Sequence, residues 1–251
     1  MIESIERALD ILELFLQGTD EMSVTEIGKS LGLHKSTVFR TLETLEEKGF
    51  VRQNPNNSKY RLGLQIYLLG MRFRESEPIT NILYPYAKAL SDQFNEVVNI
   101  HALYKGNTDS LQLVMLEKIQ SPQVLNLSPS IGFIGPCHCS ASGKCLLAYT
   151  SPDYIKQFIG KPLRGYTEHT ITDWNVLLKN LETIREQGYS VDLEEREVGL
   201  TCIAAPIFNK RNKLVASISI AGPMARIHGQ KTQEIILAVK RTAQQISAVL
   251  P

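Results

Sequence analysis

Apolar residues recur at helical spacing in three successive segments near the N-terminus, 3–17, 24–31 and 35–48. Spacings of three and four residues are typical of amphipathic α-helices that turn one face to a core. Ser23 and Glu26 form a capping-box pattern, in which each side chain satisfies a free backbone N–H at the start of a helix. The pattern therefore predicts three short helices, with the second beginning at this box.

The second and third helices, together with the segment after them, fit a winged helix-turn-helix. A tight Leu31-Gly32-Leu33 turn joins the two helices. Strand-like residues at 50–53 and 58–62 then flank Asn54-Pro55-Asn56-Asn57, whose composition is typical of a turn. This arrangement predicts a β-hairpin, the wing. We therefore predict a winged helix-turn-helix DNA-binding domain over residues 1–62.

Polar and cationic side chains cluster at the N-terminal end of the third helix, where recognition helices meet base edges. Ser36 and Thr37 can donate to bases or phosphates, and the Arg40 guanidinium can bind phosphate or read a guanine. An ordinary exposed helix face has similar residues, so the prediction depends on the order of box, turn and wing. The predicted DNA-binding residues are His34, Lys35, Ser36, Thr37, Arg40, Lys59 and Arg61.

Residues 63–77 are too apolar for a free linker. Leu64, Leu68 and Met71 repeat at helical spacing, which predicts a linker helix over this segment that packs against a partner or the domain core. An alternative stays open, in which it is simply the last core helix of the first domain. The domain boundary is expected at Glu77-Pro78.

The remaining residues, 78–251, alternate strand-like and helix-like segments. The predicted strands are 97–104, 111–119, 124–127, 190–192, 201–208 and 214–220. The predicted helices include 79–94, 144–149, 172–187 and 231–249. Antiparallel hairpins with helices between them are typical of an α+β domain.

The formal net charge is only +1, which by itself argues against nucleic-acid binding, because such domains tend to be basic. The charge is unevenly distributed, however. Residues 1–26 hold one base and seven acids, or −6, whereas residues 27–62 hold seven bases and three acids, or +4. The basic part coincides with the predicted recognition helix and wing, where phosphate would be neutralised. The near-zero average therefore does not exclude DNA as a partner.

The chain has neither a membrane-spanning apolar run nor the basic start of a signal peptide. Its four cysteines, Cys137, Cys139, Cys145 and Cys202, form no secreted-type disulfide framework, so reduced thiols are expected. These features predict a cytoplasmic protein without a membrane partner.

Four segments resemble, in order, signature segments of the IclR family of bacterial transcription regulators. They are His-Cys-Ser-Ala-Ser-Gly-Lys at 138–144, and the segments 188–195, 199–206 and 217–223. With the winged helix and the Glu-Glu-Lys-Gly-Phe step at 46–50, the resemblance covers nearly the whole chain. It implies a winged helix-turn-helix joined by a helix to a GAF-like effector-binding domain with an antiparallel sheet flanked by helices. It also implies a homodimer or homotetramer on palindromic double-stranded DNA, with a small organic acid as effector.

The family's effector pocket is formed by the loop after its His-x-Ser/Thr motif and by the closing strands. Carried over by position, the resemblance nominates Ala141, Ser142, Asp192, Cys202, Ser219 and Ala221. A loop rich in backbone N–H groups at a helix start is suited to a carboxylate. Some members have a second serine where this chain has Ala221, which predicts an effector less polar than the smallest keto acids. The predicted function is that of an effector-controlled regulator, a repressor.

Three alternatives are weighed beside this interpretation. Cys137, His138 and Cys139, with Cys202, suggest a metal- or thiol-based sensor or a thiol enzyme with a DNA-binding head. Their spacing does not fit a zinc knuckle and no further hydrolase motif is present, so we predict no metal, no cofactor and no catalysis. A DNA-tethered scaffold without a ligand is the second alternative. The third concerns the acidic run 192–197, which could be a solvated loop with only Asp192 turned inward.

Overall fold

The structure is a computed structural model that describes residues 2–76, 79–106, 109–122 and 129–251. The chain divides into two compact units, Met1–Pro78 and Ile79–Pro251. Each unit contains hydrophobic clusters of its own. The predicted strand at 124–127 lies outside the described residues.

The first unit is a helix-turn-helix followed by a two-stranded hairpin and a further helix. Its elements are α1 (Glu3–Leu14, extended by a 3-10 turn at Phe15–Gln17), α2 (Val24–Leu31), α3 (Lys35–Glu47), β1 (Val51–Gln53), β2 (Tyr60–Leu62) and α4 (Leu64–Ser76). The predicted capping box is present: the Ser23 hydroxyl accepts from the Glu26 N–H, and the Glu26 carboxylate accepts from the Ser23 N–H. Gly32 ends α2 in the left-handed conformation (φ 66°), which favours glycine.

Apolar residues of the three leading helices form the core of the first unit, although in α1 the periodicity predicted Ile5 and Leu9 at the core, and the structure exposes both and buries Ile11 instead. Ile11, Ile27, Val38 and Leu42 are fully buried there. Burying each of these side chains stabilises the folded state by about 1.5–3 kcal/mol. The amphipathic pattern therefore folds α1, α2 and α3 around one core and leaves their polar faces outside.

Helix α4 differs from these three because none of its residues is buried. Leu64, Tyr67 and Phe73 are all exposed. The helix is therefore not packed into the core of its own unit, which disfavours the alternative of a last core helix. Packing against a partner stays a prediction.

The second unit contains a six-stranded antiparallel sheet in the order β5-β4-β3-β8-β7-β6, with helices on both faces. Its strands are β3 (Val97–Tyr104), β4 (Gln112–Ile119), β5 (Ile134–Pro136), β6 (Ser190–Leu193), β7 (Leu200–Phe208) and β8 (Leu214–Pro223). Its helices are α5 (Ile79–Phe94), α6 (Ala141–Ala148), α7 (Pro152–Lys156), α8 (Trp174–Gln187), α9 (Met224–Ile227) and α10 (Thr232–Val249). The predicted α+β class with a flanked antiparallel sheet is confirmed.

The alternation of side chains along β8 separates the two faces of this sheet. Ile218 and Ile220 belong to the cluster that α5 and α10 cover. Ser219 and Ala221 point the other way, toward the face on which α6 packs, because successive strand residues alternate. The second face therefore carries the small and polar side chains.

Helix α6 begins at Ala141, three residues before the predicted start at Lys144. The Ser140 hydroxyl accepts from the Gly143 N–H at 3.1 Å and so caps the helix. Gly143 lies so close to Cys137 that an added Cβ would come within 2.3 Å of its backbone. The cap and the glycine place the start of α6 against the sheet.

Candidate functional site

The N-terminal end of α3 presents the predicted DNA-binding side chains. His34, Lys35, Ser36 and Arg40 are exposed, and Thr37 is half-buried. None of the four exposed side chains makes a hydrogen bond or ion pair within the described residues. Buried residues on the opposite face hold the helix in the core, so this polar face is free to meet a nucleic acid.

The two predicted wing cations are partly held by acids of their own unit. Lys59 forms an ion pair with Glu26 at 3.2 Å, and Arg61 lies 3.8 Å from Glu21. Hydrogen bonds from Ser23, joined by one from Lys59, lower the pKa of Glu26 to about 2, so this acid is ionised at neutral pH. A phosphate would have to compete with these carboxylates for the two wing cations.

Arg52 is a candidate DNA contact that the sequence analysis missed. It is exposed on β1 and stands directly opposite Arg61 on β2. Like charges facing each other across a hairpin are destabilising, so this pair favours an anion at the wing. The sequence pattern that could have identified it is a cationic residue, Arg52 itself, in the first strand of the predicted wing.

The second unit contains a cavity of about 260 Å³ between the sheet and the start of α6. Its walls come from β3, β4, β8, the loop before α6, and the segment from β6 to β7. All six residues nominated for effector binding line it: Ala141, Ser142, Asp192, Cys202, Ser219 and Ala221.

Strand register explains why residues so distant in sequence share this cavity. Asp192 pairs with Cys202, Cys202 with Ala221, and Ala221 with Val97. These four residues form one row across β6, β7, β8 and β3. Ser219 lies two positions from Ala221 and therefore on the same face.

The turn after β6 is held by a buried ion pair between Lys144 and Glu195. The Lys144 ammonium also donates to the carbonyl of Val191 at 2.9 Å. The interpretation of 192–197 as a solvated loop is therefore wrong for Glu195, which is buried because its carboxylate meets a lysine of α6. Burial raises the pKa of Glu195, and the Lys144 charge opposes that rise.

Among the described residues, two acids line this part of the cavity: Asp192, near the end of β6, and Glu197 of the turn. The Asp192 carboxylate accepts from the Glu195 N–H at 2.8 Å. Burial, reinforced by the negative charge of Glu195, raises the pKa of Asp192 to about 7. At neutral pH this carboxyl can therefore donate as well as accept a hydrogen bond.

Arg196 and His101 are cavity residues that the sequence analysis did not find. The Arg196 guanidinium lies 3.8 Å from the centre of the Tyr166 ring. Its buried Nη1, the Nδ1 of His101 and the Oγ of Ser142 have no hydrogen-bond partner in the described part of the chain. Arg196 sits inside an acidic run and His101 inside a strand, so no local pattern marks either as a site residue.

The cysteine and histidine cluster does not have the features of a reactive centre. Burial raises the pKa of the Cys137 thiol, and raises that of Cys139 to about 12. The Nε2 of His138 is hydrogen-bonded to the carbonyl of Arg164 at 2.9 Å. Among the described residues, no three His, Cys, Asp or Glu side chains are placed to hold a metal ion.

No helix within the described ranges combines the length and the apolar character that crossing a bilayer requires.

Two family models together match most of the chain. The IclR helix-turn-helix domain matches residues 4–55, and the C-terminal domain of bacterial IclR transcriptional regulators matches residues 72–248. The first match covers α1, α2, α3 and the first strand of the wing. The second covers the sheet and every residue named at the cavity.

Known proteins show the same relationship over the full length. The Escherichia coli K12 transcriptional repressor IclR is 30% identical over 247 residues, covering 98% of this chain and 89% of the relative. An IclR transcriptional regulator from Alicyclobacillus acidocaldarius is 25% identical, with a TM-score of 0.84 over 99% of this chain and 98% of its own. An IclR homologue from Microbacterium hydrocarbonoxydans, solved with 4-hydroxybenzoate, shares the fold, with 21% identity and a TM-score of 0.81 over 98% of each chain. The chain belongs to the IclR family of bacterial transcriptional regulators.

Proposed function

We propose that this protein is a transcriptional repressor whose affinity for its operator is set by a small organic acid bound in the cavity of the second unit. The observation that carries the proposal is the cavity itself, which gathers six residues from α6, β6, β7 and β8 around unpartnered polar atoms. Buried polar groups without partners are costly, so a ligand that supplies those partners binds with a gain. The repressor assignment is supported by the E. coli relative, a repressor.

On the DNA side, we propose that the recognition helix contributes His34, Lys35, Ser36, Thr37 and Arg40, and that the wing contributes Lys59 and Arg61. Two copies of α3 in a homodimer would read the half-sites of a palindromic operator about one helical turn apart, or a multiple of it. A homotetramer would bind two such sites. The exposed face of α4 is available to a second copy of the chain.

On the effector side, Ala141 and Ser142 form the first turn of α6, where the helix dipole favours a negative charge. Ser219 adds a hydroxyl, Cys202 a thiol, and Asp192 a carboxyl that can donate or accept. Ala221 leaves its part of the wall apolar. The Microbacterium homologue was solved with an organic acid, 4-hydroxybenzoate, and this supports the proposed ligand class.

The DNA part is tested by selecting binding sequences from random duplexes with the purified full chain, then measuring the affinity for the selected operator. Arg40→Ala should reduce that affinity about five- to 150-fold, which corresponds to the cost of about 1–3 kcal/mol expected for a guanidinium contact. Arg211→Ala, which removes an exposed arginine of the second unit, is the matched control. Equal affinities of the two variants would remove Arg40 from the interface.

The effector part is tested by the melting temperature of the second unit in the presence of organic acids. A bound acid should raise it, and Ser219→Ala should reduce the rise without changing operator affinity in the absence of ligand. An unchanged rise would remove Ser219 from the site. Failure of every acid to raise the melting temperature would favour a scaffold without a ligand.

A further inference from the structure

His101 occupies the opposite side of the cavity from Asp192, and no motif of the sequence marks it. Its side chain lines the cavity and is 8% exposed. The pairing of β3 with β4 shifts register between Ile100 and His101, a bulge of the kind that re-aims a side chain. Within the described residues, its buried Nδ1 has no hydrogen-bond partner. The imidazole thus reaches the cavity with part of its surface and makes no hydrogen bond through Nδ1 to the described part of the chain, which points to a polar group of the ligand as its partner.

The other end of the cavity provides a place for a carboxylate. Arg196 is the only lysine or arginine among the residues that line the described part of the cavity, and its buried Nη1 lacks a partner there. The carboxyl of Asp192 lies close to Arg196 along the chain, because it accepts a hydrogen bond from the N–H of Glu195, the residue before Arg196. A guanidinium is the group in this lining that is best suited to a carboxylate.

The strand register separates these two ends. Strands β7 and β8 lie between β6 and β3. The backbone of Asp192 is therefore three interstrand spacings, about 14 Å, from that of Val97 in the same row. His101 stands four residues further along β3 from Val97, which belongs to the row of Asp192. Both side chains line the cavity between these strands, so a ligand that contacts both has to span only the gap that they leave.

Between the two ends the sheet contributes Cys202, Ala221 and Val97, with Ser219 and Asn99 beside them, and on the far side of β3 the wall is the apolar Leu113 and Met115. The cavity volume of about 260 Å³ lies just below the range of typical ligand pockets, about 300–1,000 Å³. The space therefore suits one compact apolar body, such as a single ring or a short alkyl chain, between two polar ends.

The chemistry of His101 selects the second polar group. Burial lowers the pKa of His101 to about 4, so the imidazole is uncharged at neutral pH. A neutral imidazole offers one N–H donor and one acceptor nitrogen, and a hydroxyl can pair with either. A second carboxylate would bring an unpaired charge into this apolar end, which is strongly unfavourable.

We propose that His101 is a specificity-determining residue that binds a hydroxyl group of the effector, and that the effector is an acid whose carboxylate and hydroxyl are separated by an apolar body. The inference rests on the proposed function, since it assigns the ligand class of the same cavity.

The test compares acids that differ only in the hydroxyl, titrated into the full-length protein by calorimetry. The pairs are 4-hydroxybenzoate with benzoate, and 6-hydroxyhexanoate with hexanoate. The wild type should bind the hydroxylated member of at least one pair about tenfold more tightly, because the plain acid leaves the imidazole unpaired. His101→Leu should abolish that preference and leave the affinity for the plain acid within about twofold.

Two further variants separate a direct contact from a change of cavity shape. Met115→Leu alters the cross-strand partner of His101 in the same wall and should keep the preference. His101→Asn keeps a polar group at this position and should retain part of it. Fluorescence of Trp174, the only tryptophan of the chain, checks that each variant is folded.

The outcomes are distinct from those of the proposed function. Equal binding of both members of each pair by the wild type overturns the inference and leaves organic-acid binding intact. The inference is also overturned if His101→Leu lowers the affinity for both acids of a pair to the same extent. If no acid of either pair binds, both the inference and the proposed effector class fail.

Discussion

The ammonium of Lys144 in α6 donates to the carboxylate of Glu195, which follows it by 51 residues. This buried ion pair ties the helix that begins at the cavity to the turn that carries Asp192 and Arg196. The pair offsets part of the cost of desolvating two charges: Lys144 also bonds the carbonyl of Val191, whereas the Oε2 of Glu195 has no hydrogen-bond partner within the described residues. The pair therefore orders one wall of the candidate effector site.

Lys144→Met should destabilise the second unit by about 3–5 kcal/mol, because it leaves a buried carboxylate without its cation. Urea unfolding followed by the fluorescence of Trp174 measures the change. Lys156→Met is the control, since it removes an exposed ion pair with Asp153, worth at most about 1 kcal/mol. Adding Glu195→Gln to Lys144→Met should recover part of the loss. Equal small losses for the two lysine variants would contradict a structural role of the pair.

Asp192 should make the stability of the second unit fall as pH rises. Its folded-state pKa of about 7 lies above the ordinary value of 3.8, so the folded state holds this proton after the unfolded chain has lost it. The wild type therefore loses stability between about pH 4 and pH 7. Relative to the wild type, Asp192→Asn should gain about 2–3 kcal/mol between pH 5 and pH 8.

Urea unfolding at these two pH values gives that difference directly. The asparagine amide oxygen can still accept the N–H of Glu195, so the turn keeps its hydrogen bond. Asp153→Asn, which changes an exposed acid, should show no such gain. A difference between wild type and Asp192→Asn that does not vary with pH would show that Asp192 is ionised in the folded protein.

The thiols should react slowly in the native protein. Burial raises the pKa of Cys137, Cys139, Cys145 and Cys202, so thiolate is scarce at neutral pH. The test is labelling with a chromogenic disulfide at about pH 7.5. The thiols of the folded protein should react far more slowly than those of the denatured protein, in which all four are accessible. One rapidly labelled thiol in the native state would instead support a thiol-based sensor.

Arg52→Ala should weaken operator binding and lower the salt dependence of the affinity by about one unit of slope for each phosphate that is no longer neutralised. The hairpin itself should not be destabilised, because the change relieves the repulsion between Arg52 and Arg61. Arg211→Ala removes an exposed arginine of the second unit and controls for the change of net charge. An identical salt slope for both variants would exclude Arg52 from the DNA interface.

The parts of the fold that the sequence predicted are those set by local signals. The capping box at Ser23 and Glu26 starts α2, and the left-handed Gly188 ends α8. Each signal acts within a few residues, through a hydrogen bond or an allowed backbone angle. The start of α6 was misplaced because Ser140, its cap, stands in a run of small residues where several positions could begin a helix.

By itself, the sequence determined the helix-turn-helix, the wing, five of the six strands of the sheet (all but β5) and, through the family resemblance, six residues that line the cavity. Tertiary structure alone decided that Glu195 is buried on Lys144, that Arg52 faces Arg61, and that His101 and Arg196 share the cavity. Strand pairing and a long-range ion pair bring these residues together. Such contacts depend on the register and packing of segments far apart in the chain, and local periodicity carries no information about either.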